Sequence, residues 1–176
     1  MNKLTKILSI GLVSIFALCA VASGSGDKKD KSNGTNATTA ETTQQKYTLG
    51  SNFTFDQLDI TIGTDLKKGT VDNSFSDKNG QDYIIVPIHV TNLSNENHGL
   101  NYLYVKAFGS KGTKADIYYY YEDDADISKA GEMRSGASND INVKIMYDGD
   151  GTYCLTFDDW SNEINVEFDV ALANIE

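Results

Sequence analysis

Two histidines, two cysteines and two groups of carboxylates are the side chains of this 176-residue sequence best suited to chemistry. His89 sits in an apolar run and His98 in an Asn-rich stretch. Neither falls in a Gly-x-Ser-x-Gly nucleophile turn, a His-Glu-x-x-His zinc helix or a phosphate-cradling glycine loop. A hydrolase would have to bring one of them to a serine and an acid from distant parts of the chain, and this stands as a second alternative. Asp148-Gly149-Asp150-Gly151 has the opening spacing of a calcium loop, in which alternate carboxylates reach one ion across a glycine turn. The glutamate that closes such a loop would fall at Asp159, so the segment reads first as a hairpin turn. Glu122, Asp123, Asp124 and Asp126 form the other acidic group. Neighbours on an extended chain point to opposite sides, so it reads as a solvated turn. A calcium-stabilised domain built on Asp148 and Asp150, or on Glu122 to Asp126, is the first alternative. No residue is assigned a catalytic, cofactor or metal role.

The elements that would carry these side chains begin after an address. Lys3 and Lys6, the 16-residue apolar run Ile7 to Ala22 and the small residues at its end have the three-part form of a secretory signal. Ala20-Val21-Ala22 fits cleavage before Ser23, giving a signal peptide over 1–22. Cys19 offers a competing reading, lipidation after cleavage before a cysteine, although Leu18 stands where a small residue is usual. Residues 23–45 hold no large apolar side chain and read as a disordered polar linker with a reach on the order of 25 Å. The sequons at Asn33, Asn36, Asn52 and Asn92 matter only in a host that glycosylates them. Without the leader lysines the charge is 13 − 25 = −12, which repels nucleic acid phosphates and anionic membranes. No nucleic acid partner is expected, and membrane contact only through a lipid on Cys19. If the leader is removed after Ala22, Cys154 has no intramolecular partner and reads as a buried, inert thiol.

Residues 46–176 show strand periodicity throughout. Ile84, Val86, Ile88 and Val90 share one face of a run from Gly80 to Asn92, while Tyr83, Ile85, Pro87 and His89 take the other. This is the expected central strand, covered at least partly on both faces. A tight hairpin is predicted at Asp56-Gln57, and a long loop with a short edge strand over 63–81. Strands are also predicted over Leu100 to Phe108 and through Tyr118 to Tyr121, with a hairpin from Ile141 to Phe157 and a closing strand from Ile164 to Leu172. Trp160 is expected to cover the end of the core. The fold class is all-β, an antiparallel sandwich of about 7 to 9 strands.

Leu49-Gly50 followed by Leu58-Asp59-Ile60-Thr61-Ile62, the strand ending Val90-Thr91-Asn92, the turn Ser110-Lys111-Gly112 and Gly131-Glu132 occur in an order that resembles a known family. It is that of immunoglobulin-like domains of unknown function in exported lipoproteins of Gram-positive bacteria, similar in fold to a secreted mycobacterial immunoprotective antigen. The resemblance implies an immunoglobulin-like β-sandwich over most of 46–173 and carries no catalytic residues. The reading is therefore an exported, non-enzymatic extracellular or cell-surface domain, a binding module for an unknown protein or surface ligand.

Overall fold

The computed structural model describes residues 46–120 and 123–176. The leader (1–22) with Cys19, the linker (23–45) with Asn33 and Asn36, and Tyr121 and Glu122 lie outside the described residues.

Among the described residues ten strands form two sheets: β1 (Lys46–Tyr47), β2 (Asn52–Phe55), β3 (Leu58–Ile62), β4 (Lys67–Thr70), β5 (Asp82–Asn92), β6 (Val105–Phe108), β7 (Lys114–Ala115), β8 (Ser138–Met146), β9 (Gly151–Asp158) and β10 (Glu163–Val170). Two of them, β1 and β7, are only two residues long. One sheet has the order β1-β10-β9-β6-β7; in the other, β5 pairs with β8 along one edge and with β3 and then β4 along the opposite edge, and β2 pairs with β3. All pairs are antiparallel except β1 with β10.

β5 is the central strand the periodicity predicted, with Ile84, Val86, Ile88 and Val90 fully inside. A proline is tolerated at its middle because of where its partners change. β3 pairs with Ile88 to Asn92 and β4 with Asp82 to Ile85, so the missing N–H of Pro87 falls in the gap between them. Gly63, which leaves β3 at this gap, donates its N–H to the Pro87 carbonyl at 2.8 Å. A Cβ on Gly63 would stand 2.6 Å from Pro87 Cγ, so the crossing fits only a glycine. The sheets meet through aromatic rings: Phe53 and Phe55 of β2 lie 5.3 and 5.8 Å from Phe157 of β9. This contact also sets the ends of the sandwich. The β2–β3 turn, the end of β5, the start of β6 and the β9–β10 turn share one end, while the start of β5 and the end of β10 share the other.

Several expectations need correction. Leu100 to Phe108 is not one strand: Tyr102–Tyr104 is a 3-10 turn, capped by the Asn101 side chain accepting from Leu103 N, and β6 starts at Val105. Tyr118 to Tyr120 form no strand. They belong to an irregular segment along the free edge of β8, where Tyr118 N donates to Lys144 O and Asn142 N to Ala125 O. Trp160 does not cover the core. Its side chain is 92% exposed, because its backbone turns left-handed at φ 75° in a loop held by Asp158 and Asp159. The hairpin at Asp56-Gln57 is present, with φ 46° and 61°, the sign of a type I′ turn.

Candidate functional site

Alternation along β5 and β8 sends His89, Thr91, Ser138 and Asp140 to the outer face of the second sheet, and the register sets His89 opposite Asp140 and Thr91 opposite Ser138. His89 Nδ1 lies 2.6 Å from Asp140 Oδ1, and His89 Nε2 lies 3.4 Å from Thr91 Oγ1, which is 2.8 Å from Ser138 Oγ. Hydroxyl, imidazole and carboxylate thus stand in the order of a nucleophilic relay, which sequence spacing alone could not reveal. The Nε2–Thr91 contact is long, however, and β5 is paired on both sides over 88–92, so its N–H groups are spent in the ladders. These N–H groups therefore offer a developing oxyanion no pair of donors, although a cavity of about 310 Å³ lined by Thr61, Pro87, His89, Asp140 and Asn142 opens beside the imidazole. His98 is elsewhere: its Nε2 lies 2.6 Å from the Asp56 carbonyl, latching an end loop to the β2–β3 turn.

Of the acidic groups, Asp123, Asp126, Asp148 and Asp150 are engaged by protein donors. Lys144 on β8, only 5% exposed, places its ammonium 2.6 Å from Asp123 Oδ2 and 3.8 Å from Asp126 Oδ2, and 5.5 Å from the centre of the Tyr120 ring. Asp126 is fully buried and accepts from Tyr120 N and Ser128 N. The hydrogen bond from Lys144 holds the Asp123 carboxyl below the usual carboxylate range. A lysine thus fills the place a cation would take. Asp148 accepts from Ser110 N, Ser110 Oγ and Tyr153 Oη, whereas Asp150 accepts from Leu172 N and Tyr147 Oη. These two carboxylates face different partners. Among the described residues no three of His, Cys, Asp and Glu converge on a point that could hold a metal. Millimolar calcium is accordingly expected to leave the melting temperature of the protein unchanged against chelator, in a thermal scan of both samples. A rise of several degrees would restore the calcium alternative.

Two sequence signals change meaning in the structure. Asn92, a sequon asparagine, is fully buried and donates from Nδ2 to the carbonyls of Glu96 and Met133, closing the end loops over the core. Val-Thr-Asn therefore ends β5 with a structural knot. Cys154 is half-buried on the outer face of β9, and burial raises its thiol above the ordinary range. Aromatic rings also line up on the outer face beside β8. Tyr118 lies 5.6 Å from Tyr83 and 6.5 Å from Tyr120, and the Tyr83 ring lies across Gly69 of β4, where any Cβ would collide with it.

The turn between β9 and β10 presents Trp160 to solvent, as the β4–β5 connection presents Phe75. Asp158 Oδ1 accepts from Trp160 N, and Asp159 Oδ1 accepts from Ser161 N, Ser161 Oγ and Asn162 N. Asp158 also pairs with Lys106 Nζ at 2.6 Å. The turn is fixed by its own side chains while the indole stands in solvent. Leu103 and Leu93, 67% and 57% exposed, lie at the same end of the sandwich.

No protein-family model matches the chain, and no curated protein matches it. Solved structures do. A secreted protein of Mycobacterium tuberculosis, MPT63, superposes with a TM-score of 0.53 at 13% identity, covering 72% of this chain and 98% of that one. The fold is the immunoglobulin-like β-sandwich. An uncharacterised β-sandwich protein of Clostridium difficile gives 0.50 at 14% identity over 71% of this chain and 94% of its own. The ycdA protein of Bacillus subtilis, named as a candidate lipoprotein, gives 0.52 at 13% identity, and the match spans 67% of this chain and 38% of that one. At such identities the likeness is one of fold, and the sandwich hosts many functions.

Proposed function

We propose that the chain is an exported, non-enzymatic binding module acting at or outside the cell surface. The observation that carries this reading is the β9–β10 turn, where Trp160 is displayed on a loop whose conformation is set in advance by four side-chain hydrogen bonds. Tryptophan dominates binding energy where it is buried by a partner, and a turn already ordered has little entropy left to lose. The leader-like start of the sequence and the secreted and candidate-lipoprotein fold neighbours support export. The relay through His89 is read as a polar ladder on a sheet face.

Export is tested by the intact mass of the native protein in culture medium and membrane fraction. A species starting at Ser23, or at a diacylated Cys19, supports it, and an unprocessed chain confined to the cytosol overturns it. Binding is tested with the labelled chain from Ser23 onward, applied to intact cells of the producing organism. Trp160→Ala is expected to lower retention by about tenfold, the effect of losing an interface anchor, and His89→Ala to leave it unchanged. The opposite pattern would move the contact surface from the β9–β10 turn to the His89 face.

A further inference from the structure

The large apolar side chains that remain exposed among the described residues are not spread evenly. Leu93, Leu103 and Trp160 share the end of the sandwich that carries the β9–β10 turn; Phe75 stands alone in the β4–β5 connection at the opposite end, and Tyr120 lies on the flank. The same end receives the chain. β1 runs parallel to β10, with Lys46 opposite Asn165 and Tyr47 opposite Val166, so the backbone nitrogen of Lys46 faces the β9–β10 turn. β1 and β6 lie three strand spacings apart in this sheet, so the chain entrance and the Leu103 turn fit in a strip about 15 Å wide. The other terminus is remote. Lys68 N donates to the Glu176 carbonyl beside β4, and the eight residues of β10 separate the two ends by roughly 27 Å.

From this placement the geometry points to a membrane-facing end: a domain tethered through its N-terminus rests Trp160, with Leu103 and Leu93 at the same end, against the headgroup layer of a lipid bilayer. The inference rests on the cell-surface form of the proposed function, and it names the surface. Forty-five residues precede Lys46, with an apolar run at Ile7 to Ala22 and a cysteine at position 19, so a membrane hold through that segment reaches the domain on the side from which β1 is entered. An indole is suited to that depth, being apolar in its rings with one N–H for the headgroups. A tether also supplies effective concentration, so a contact too weak to recruit the free domain suffices for a held one. The carboxylates flanking Trp160 are engaged, Asp158 by Lys106 and Asp159 by its own loop, while Glu163 and Glu96 stand exposed at the same end. An overall excess of acid still opposes anionic headgroups, so the contact is one with neutral lipid.

Trp160 is the single tryptophan, which makes its emission a direct readout. The chain from Ser23 onward, which holds every described residue, is attached through an N-terminal or a C-terminal hexahistidine to phosphatidylcholine vesicles containing a little nickel-chelating lipid. The N-terminally held form is expected to show a blue-shifted emission that falls roughly twofold when brominated phosphatidylcholine replaces the unbrominated lipid, as for an indole at the interface. The C-terminally held form is expected to show neither, and Phe75→Ala to change nothing. Equal emission in both orientations without bromine quenching overturns the inference, and leaves export and cell binding to their own tests. A blue shift that grows with protein concentration and needs no vesicles also overturns it, because the cover would then be a second copy of the chain.

Discussion

Replacing Lys144 by methionine is expected to cost about 3 to 5 kcal/mol in urea unfolding, because it strands the fully buried carboxylate of Asp126 without its nearby cation. Removing the more exposed partner, by Asp123→Asn, should cost about 1 kcal/mol. The asymmetry follows from burial, since an unpaired charge is expensive only where water cannot reach it. Lys144→Met combined with Asp126→Asn should cost less than the sum of the single changes, because no buried charge then remains unpaired. Hydrogen exchange supplies a second reading. The segment through Tyr118 and Ala125 is held to β8 by backbone bonds at Tyr118 N and Asn142 N, and both amides should exchange faster in Lys144→Met before global unfolding. A loss below 1 kcal/mol with unchanged exchange would mean that the ion pair does not hold this segment.

Lys144 also shows where the sequence stops being legible. On β8 it alternates with Ile141, Val143 and Ile145, and period two alone assigns it to the solvent face. The assignment of faces is right and the exposure is not, because the segment after β7 folds back over that face and brings Asp123 and Asp126 from about twenty residues away. The same fold-back accounts for the tyrosine run. Aromatic β-formers predict a strand, but only the edge of β8 is available, and a few backbone bonds to it replace a ladder.

The parts that could be read were those where local chemistry and burial agree. β5, β8, β9 and β10 each alternate over eight residues or more, and turn residues at Asp56-Gln57 and Asp148 to Gly151 punctuate them. Trp160 failed for the opposite reason. Bulk and hydrophobicity argue for the core, yet Asp158 and Asp159 bind the turn amides and fix a left-handed backbone that leaves the indole outside. The His89 ladder was invisible for a third reason: Thr91 lies two residues from His89 on β5, but Asp140 and Ser138 meet this pair only through the register of β5 with β8, 47 to 51 residues apart along the chain. Spacing within one segment reports a site only when that segment builds it.

Tyr153→Phe is expected to cost about 1 to 3 kcal/mol, with a pH signature that distinguishes a lost hydrogen bond from a lost contact. The ring is fully buried between the sheets and would be kept by phenylalanine. The hydroxyl donates to Asp148 Oδ1 at 2.7 Å and accepts from Asp148 N at 3.0 Å, fastening the β8–β9 turn. Burial pushes the Tyr153 phenol up to about 12, and the Asp148 carboxylate adds to the shift. Burial alone would raise Asp148, but hydrogen bonds from Tyr153 and Ser110 outweigh it and hold that carboxyl below its ordinary range. The signs then follow. An unfolded tyrosine ionises near pH 10, so a raised folded value gives stability that is complete below about pH 10 and lost as pH rises toward 12. An unfolded aspartate takes up its proton near pH 4, so a lowered folded value gives stability that is complete above about pH 5 and lost as pH falls through the folded value. Tyr153→Phe removes the titrating phenol and one donor to Asp148. It should flatten the alkaline loss between about pH 10 and 12 and weaken the acid dependence below about pH 4. Urea unfolding across pH for both proteins checks this, and parallel curves displaced by a constant amount would show that the hydroxyl acts only through packing.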